Sequence, residues 1–199
     1  MKANHRQPDQ TRLGLLKIPG CRLQLEDARE LVAAIRAGDP SQYFADVLCS
    51  TTTDESYVYF KQAAAIPAAV TGRFPGAQIV HLERLLTLDG PSAGHAAPFH
   101  YIVETDVASE AEADMNLWYN VEHLPGLAAV PGNVRASRYA SDGASPRYYA
   151  CYDLLDPSVR QHSAWIAVTE TGWSSRVRPQ FRNTKRTVFQ RVFLSRDDL

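Results

Sequence analysis

One order of elements is spelled twice along this chain, and that repetition limits the folds open to it. Arg12 to Ile18 is a short apolar run closed by Pro19-Gly20 and reads as a strand. Glu26 to Ala37 carries Leu25, Ala28, Leu31, Val32 and Ile35 at helical spacing, with acids at its start and Gly38 after its end. Tyr43 to Thr52 reads as a strand, Asp54-Glu55 as a turn, and Ser56 to Gln62 as the partner strand of a hairpin. Ala63 to Phe74 is expected to be a second helix, with Pro67 in its first turn, and Ala77 to Leu88 a long strand. The order is β-α-β-β-α-β.

Asp89 to Pro98 is rich in Gly, Pro, Ala and Ser and reads as a linker. The order then returns. Phe99 to Val107 is a strand. Ser109 to Val130 holds a helix, with Ser109 and Glu112 at capping-box spacing and Pro131-Gly132 as its stop. Asn133 to Ala140 and Arg147 to Leu155 form a hairpin around the turn Ser141 to Pro146. Ser163 to about Arg178 is a helix, and Arg186 to Leu194 the last strand. We therefore expect residues 1–10 to be a disordered tail, residues 11–88 a first ferredoxin-like half, and residues 99–194 a second half carrying the site. The fold class expected is α+β, two tandem ferredoxin-like repeats. Each sheet has helices on one face only, so its other face needs a second sheet. Two sheets meeting face to face curl into a barrel, within one chain or across two, and a homodimer is expected in either case, with edge strands and the tract Arg176 to Arg191 as its interface.

Composition excludes several roles. The 199 residues are 45% hydrophobic and 22% charged, with a formal net charge of −1. That charge gives no footprint for nucleic acid. No apolar run approaches membrane-spanning length, and the polar start lacks a signal-peptide core, so a cytoplasmic location is expected. Cys21, Cys49 and Cys151 are odd in number and widely spaced, which argues against disulfides and structural zinc. The six histidines form no HxH, HxxxH or HExxH, so neither a metal nor another cofactor is expected, although a barrel-facing histidine leaves haem open.

The chemistry concentrates between Glu112 and Asn133. On a continuous α-helix Asn116, Tyr119 and His123 stand at i, i+3 and i+7, and Met115, Trp118, Tyr119 and Glu122 share the same broad face. Such a polar, aromatic face suits a helix lining a cavity. His123 is the candidate general base, since imidazole titrates near neutrality. Tyr119 and Asn116 are candidate donors to a developing enolate oxygen. Trp118, Met115, Glu122, His100 and Arg138 are candidate substrate contacts, Trp118 as a flat surface for a planar molecule. For His100 the alternation with Tyr101 puts the ring either inside the barrel or under the helices.

The W-Y-x-x-E-H-L-P block, Trp118, Tyr119, Glu122, His123 and Pro125, resembles the EthD-like branch of the dimeric α+β barrel superfamily. The later tract of Trp173, Arg176, Arg178, Pro179, Phe181, Arg182 and Asn183 resembles the C-terminal part of members of that branch. The motif match spans about residues 110–192. The resemblance implies a small-molecule pocket, and its members' chemistry ranges over cyclases, isomerases, cofactor-free oxygenases and haem enzymes. From the residues, the expected function is cofactor-independent proton abstraction with enolate stabilisation on a small aromatic or polyketide-like carbonyl compound, of cyclase, dehydratase or isomerase type. The alternative is a module that binds a small hydrophobic ligand without turnover. The first half's helix carries no His, Tyr or Trp, so one site per chain is expected.

Overall fold

Most strands of this protein bury both faces, β4 and β8 being the more open ones, and the reason lies in the topology. The computed structural model describes residues 12–38, 44–61, 72–141 and 143–196. Its eight strands are β1 (Arg12–Pro19), β2 (Phe44–Ser50), β3 (Glu55–Lys61), β4 (Gln78–Asp89), β5 (Phe99–Val107), β6 (Asn133–Ser141), β7 (Tyr148–Leu154) and β8 (Phe181–Arg196). All pair antiparallel and close into one barrel in the order β1-β3-β2-β8-β5-β7-β6-β4. Each half supplies a four-stranded ferredoxin-like sheet, β4-β1-β3-β2 and β8-β5-β7-β6. The last strand of each half crosses to the other: β8 pairs with β2, and β4 with β6. Register shifts at Val47/Leu48, Arg84/Leu86 and Glu104/Asp106 let these long strands bend round the barrel.

Helices cover the outside. α1 (Leu25–Gly38) packs Ala28, Leu31, Val32 and Ile35 onto the first half. In the second half α2 (Glu112–Trp118) runs through a π-helical turn, Tyr119–His123, into α3 (Leu124–Ala128). α4 (Ser163–Thr169) and α5 (Gly172–Val177) follow β7. The helix expected over residues 63–74 lies largely outside the described residues.

Three apolar clusters result. One lies under the first-half helix, one under the second-half helices, and one fills the barrel with Leu15, Leu48, Tyr57, Ile102, Tyr149 and Phe189. Strand alternation sorts side chains between them: Tyr101 and Val103 face the helices, and Ile102 faces inward. Gly14 marks a close fit, because a Cβ there would lie 2.2 Å from the Phe60 ring.

Several expected boundaries move. Ser109 caps no helix: Ser109–Ala111 is a 3-10 turn, its hydroxyl bonds Glu110, and the α-helix starts at Glu112 without a side-chain cap. The helix expected over Ser163 to Arg178 breaks at Thr171, whose hydroxyl accepts from the Ser174 N–H and starts a new helix. The last strand begins at Phe181, inside the basic tract. Closure of the barrel also removes the free strand edges through which a homodimer was expected to pair.

Candidate functional site: a helix-covered pocket

The pocket is built by a fault in a helix. Pro125 has no N–H to give the Val121 carbonyl, and its ring crowds that carbonyl. The backbone widens there instead, and the Leu124 N–H donates to the Tyr119 carbonyl five residues back. On an unbroken α-helix residues five apart point about 140° away from each other. The π turn brings Trp118 and His123 onto one side, with rings stacked at 4.0 Å and 23°. Tyr119 packs edge-on to both, at 4.6 Å from Trp118 and 5.3 Å from His123.

Trp118, Tyr119 and His123 line a cavity of about 60 Å³ between the helices and the outer face of the sheet. Tyr101 of β5, Tyr152 of β7 and Trp165 of α4 add further aromatic wall, and Arg178 and Arg186 add charge. Burial pushes the His123 pKa down to about 3, Arg178 lowers it further, and a main-chain hydrogen bond to Val168 opposes them. His123 is therefore neutral at physiological pH. The Val168 bond engages one ring nitrogen and leaves a second without it. That second nitrogen, Nδ1, has no hydrogen-bond partner among the described residues, and neither has Trp118 Nε1. Two buried polar nitrogens thus sit side by side on stacked rings, unsatisfied. Each such group costs on the order of 1–3 kcal/mol, which a hydroxylated ligand would relieve. Tyr119 is raised to about 12 by burial, and the guanidinium groups of Arg138, Arg186 and Arg178 pull the other way. It stays a phenol beneath a positive potential.

The other expected site residues lie elsewhere. Arg138, 1% exposed, reaches from β6 to the helix. It donates to Asn116 Oδ1 at 2.6 Å and to Asn120 Oδ1 at 3.3 Å, contacts Met115 Sδ at 3.1 Å, and lies 4.5 Å from the Tyr119 ring centre. Asn116 also donates to the Tyr148 hydroxyl at 3.4 Å. Asn116, Met115 and Arg138 thus form a clamp beside the pocket. Glu122 accepts from Thr171 Oγ1 at 2.6 Å and ties the π turn to the start of α5.

His100 is on the opposite face of the sheet, inside the barrel. Its Nδ1 donates to Asp153 at 2.9 Å, and its Nε2 lies 3.3 Å from the Tyr59 hydroxyl. Arg191 joins Asp153 at 2.9 Å to Asp46 at 2.7 Å and 2.8 Å. Burial works against a charged ring, yet the Asp153 bond prevails and raises His100 to about 10. His100 and His123 share no cavity, and His81 is exposed on β4. Among the described residues no group of three or more His, Cys, Asp or Glu could hold a metal ion, and no helix is long and apolar enough to cross a membrane.

Sequence reasoning missed Tyr101, Tyr152, Trp165 and Arg186 as pocket walls. Arg178 was noted only within the later tract. The available signal was strand alternation, which pairs Tyr101 with Val103 but does not say which face meets the helices.

No protein-family model and no curated protein matches the sequence. Solved structures do match. An assigned monooxygenase from Fusobacterium nucleatum superposes with a TM-score of 0.65 at 9% identity, covering 94% of each chain. An anthrone oxidase-like protein gives 0.61 at 13% identity, over 94% of this chain and 93% of its own. A mutant chlorite dismutase from Candidatus Nitrospira defluvii, in complex with cyanide, gives 0.60 at 11% identity, over 91% and 92%. At such identities the likeness is one of fold: this chain folds as an α+β barrel of two tandem ferredoxin-like repeats.

Proposed function

We propose that the helix-covered pocket is the active site of a cofactor-independent enzyme acting on a small aromatic or polyketide-like carbonyl compound. The observation that carries this reading is the neutral His123, its Nδ1 without a partner among the described residues, stacked on Trp118 in an aromatic cavity with arginines. A neutral imidazole can accept a proton. A pKa of about 3 makes it a weak base while the pocket is empty. An enolate or phenolate forming beside it changes that balance, because a nearby anion favours the imidazolium. Arg178 and Arg186 stabilise the same anion, and the Tyr119 phenol and Trp118 N–H can donate to its oxygen. Cyclisation, dehydration and isomerisation all begin with such a step. The names of two fold neighbours, monooxygenase and anthrone oxidase-like, are those of small-molecule enzymes, and the EthD-like W-Y-x-x-E-H-L-P block points to the same helix.

The cavity is far below the ~300–1,000 Å³ usual for ligand sites, so a ring-sized substrate must displace wall side chains. The low basicity of His123 also favours the second reading, a module that binds a small hydrophobic ligand without turnover. One experiment separates the two. Aromatic ketones such as anthrone are titrated against tryptophan fluorescence, and exchange of their acidic C–H with deuterated water is followed by NMR. Saturable quenching with exchange slowed ~10²–10⁴-fold by His123→Gln supports the enzyme. Quenching without exchange supports the binder. Absence of both, with Arg178→Gln indistinguishable from wild type, removes the pocket from consideration.

A further inference from the structure

A second and larger cavity opens on the other side of the sheet, at one mouth of the barrel. Its volume is about 370 Å³, within the range of small-ligand sites. Two ion pairs stand in its wall. Lys17 of β1 is bonded to Glu104 of β5 deep in the barrel, their side chains 14% and 2% exposed. Lys185 of β8 is bonded to Glu55 of β3 at the rim, their side chains 44% and 10% exposed. Tyr57 links the two: its hydroxyl donates to Glu104 and accepts from Lys185 at 3.2 Å. Lys17 also donates to the Tyr149 hydroxyl at 3.2 Å.

The two pairs differ in how readily they open. The inner pair is desolvated, so separating it leaves a buried charge uncompensated. The rim pair opens more readily, because water can solvate its half-exposed lysine while Glu55 still accepts from Thr53 Oγ1 at 2.8 Å. The charges on the wall cancel, two lysines against two glutamates. A ligand with one charge would take one member of the rim pair and strand the other. A ligand carrying both charges satisfies both members at once. None of these groups serves the helix-covered pocket, which lies across the sheet.

We propose that the barrel mouth binds a zwitterionic small molecule of amino-acid type, its ammonium taken by Glu55 and its carboxylate by Lys185. The Lys17–Glu104 pair stays closed beneath it as a charged floor.

The test is calorimetric titration of the full-length protein with glycine, 4-aminobutyrate and 6-aminohexanoate, alongside butyrate, butylamine and glucose. At least one amino acid is expected to bind saturably, on the order of tenfold or more tighter than the singly charged and uncharged probes. Lys185→Met and Glu55→Gln should each weaken it by about tenfold or more, as loss of a charge-assisted bond does. His123→Gln should leave it unchanged. The proposal is overturned if no amino acid binds up to about 10 mM, if glucose or the single ions bind as well, or if both rim variants bind like the wild type. Melting curves verify that each variant is folded. Should Glu55→Gln unfold, Lys185→Met decides alone, because its half-exposed site tolerates the change.

Discussion

His123 and His100 are the same residue type, both buried, and their environments move them in opposite directions. His123 has an aromatic neighbour and a nearby guanidinium and is held near 3; His100 has Asp153 and is held near 10. Each shift makes a stability claim with its own sign. For His123 the folded pKa lies below the unfolded value of about 6.5, so the unfolded chain takes up a proton that the folded chain refuses. Stability present above pH ~6.5 is lost as pH falls toward 3, by up to ~1.4 kcal/mol per pH unit. Urea midpoints between pH 6.5 and 4 should therefore fall less steeply for His123→Gln than for wild type. For His100 the folded pKa lies above the unfolded one, so its contribution is complete below pH ~6.5 and is lost as pH rises through ~10. His100→Gln should flatten the decline in stability between pH 7 and 10. It should also cost about 3–5 kcal/mol at pH 6, because Asp153 loses a partner in a buried network. A variant whose midpoint follows wild type across that alkaline range would show that the imidazole is not charged in the native state.

Among the elements, the segment from α2 to α3 has most bearing on the pocket. It is one helix in sequence and two in structure, and the π turn before Pro125 places His123 on Trp118. Its far end is set by Gly126, where a Cβ would lie 2.8 Å from Val168 Cγ2 and 3.0 Å from Cγ1. Val168 is β-branched and cannot easily turn away. Gly126→Ala should thus push α4 off α3 and destabilise by about 1–3 kcal/mol, in spite of alanine's ~1 kcal/mol better helix propensity. Val168→Ala combined with Gly126→Ala should recover part of that loss. A double-mutant cycle with a coupling energy near zero would show that the two positions do not touch. The same segment limits what sequence could show about the site. Trp118, Tyr119 and His123 were legible as members of one short segment, because they are close in the sequence. Their geometry was not, since an α-helical reading puts Asn116 with His123 and separates Trp118 from it, and one proline reverses both. Asn116 and Arg138 were picked for their chemistry, and packing turned them into a clamp.

For the whole molecule, the decisive contacts are the two seams, β2 with β8 and β4 with β6. Because each half donates its last strand to the other, neither sheet can lose its partner without exposing an edge and a buried face. Unfolding in urea should be a single transition, with coincident fluorescence and circular dichroism midpoints. The closed barrel covers its own sheet faces, so the midpoint should not change with protein concentration over a hundredfold range; a concentration-dependent midpoint would mean that a second copy completes the fold. If sedimentation shows a homodimer, we expect it to use the outer helix surface, where Leu117 and Val121 are 54% and 62% exposed, rather than strand edges.

By itself the amino-acid sequence determined the eight strands, their order in two halves, and the segment on which the aromatic and titratable residues gather. Those follow from local periodicity and from turn residues such as Pro19-Gly20 and Pro131-Gly132, which act over a few positions. Only the tertiary structure decided that the barrel closes within one chain, that His100 turns inward to Asp153 while Tyr101 turns outward to the helices, and that Lys17, Glu55, Glu104 and Lys185 meet at one mouth. These depend on strand register, where a shift of one residue exchanges the two faces of a strand, and on pairing between segments more than a hundred positions apart.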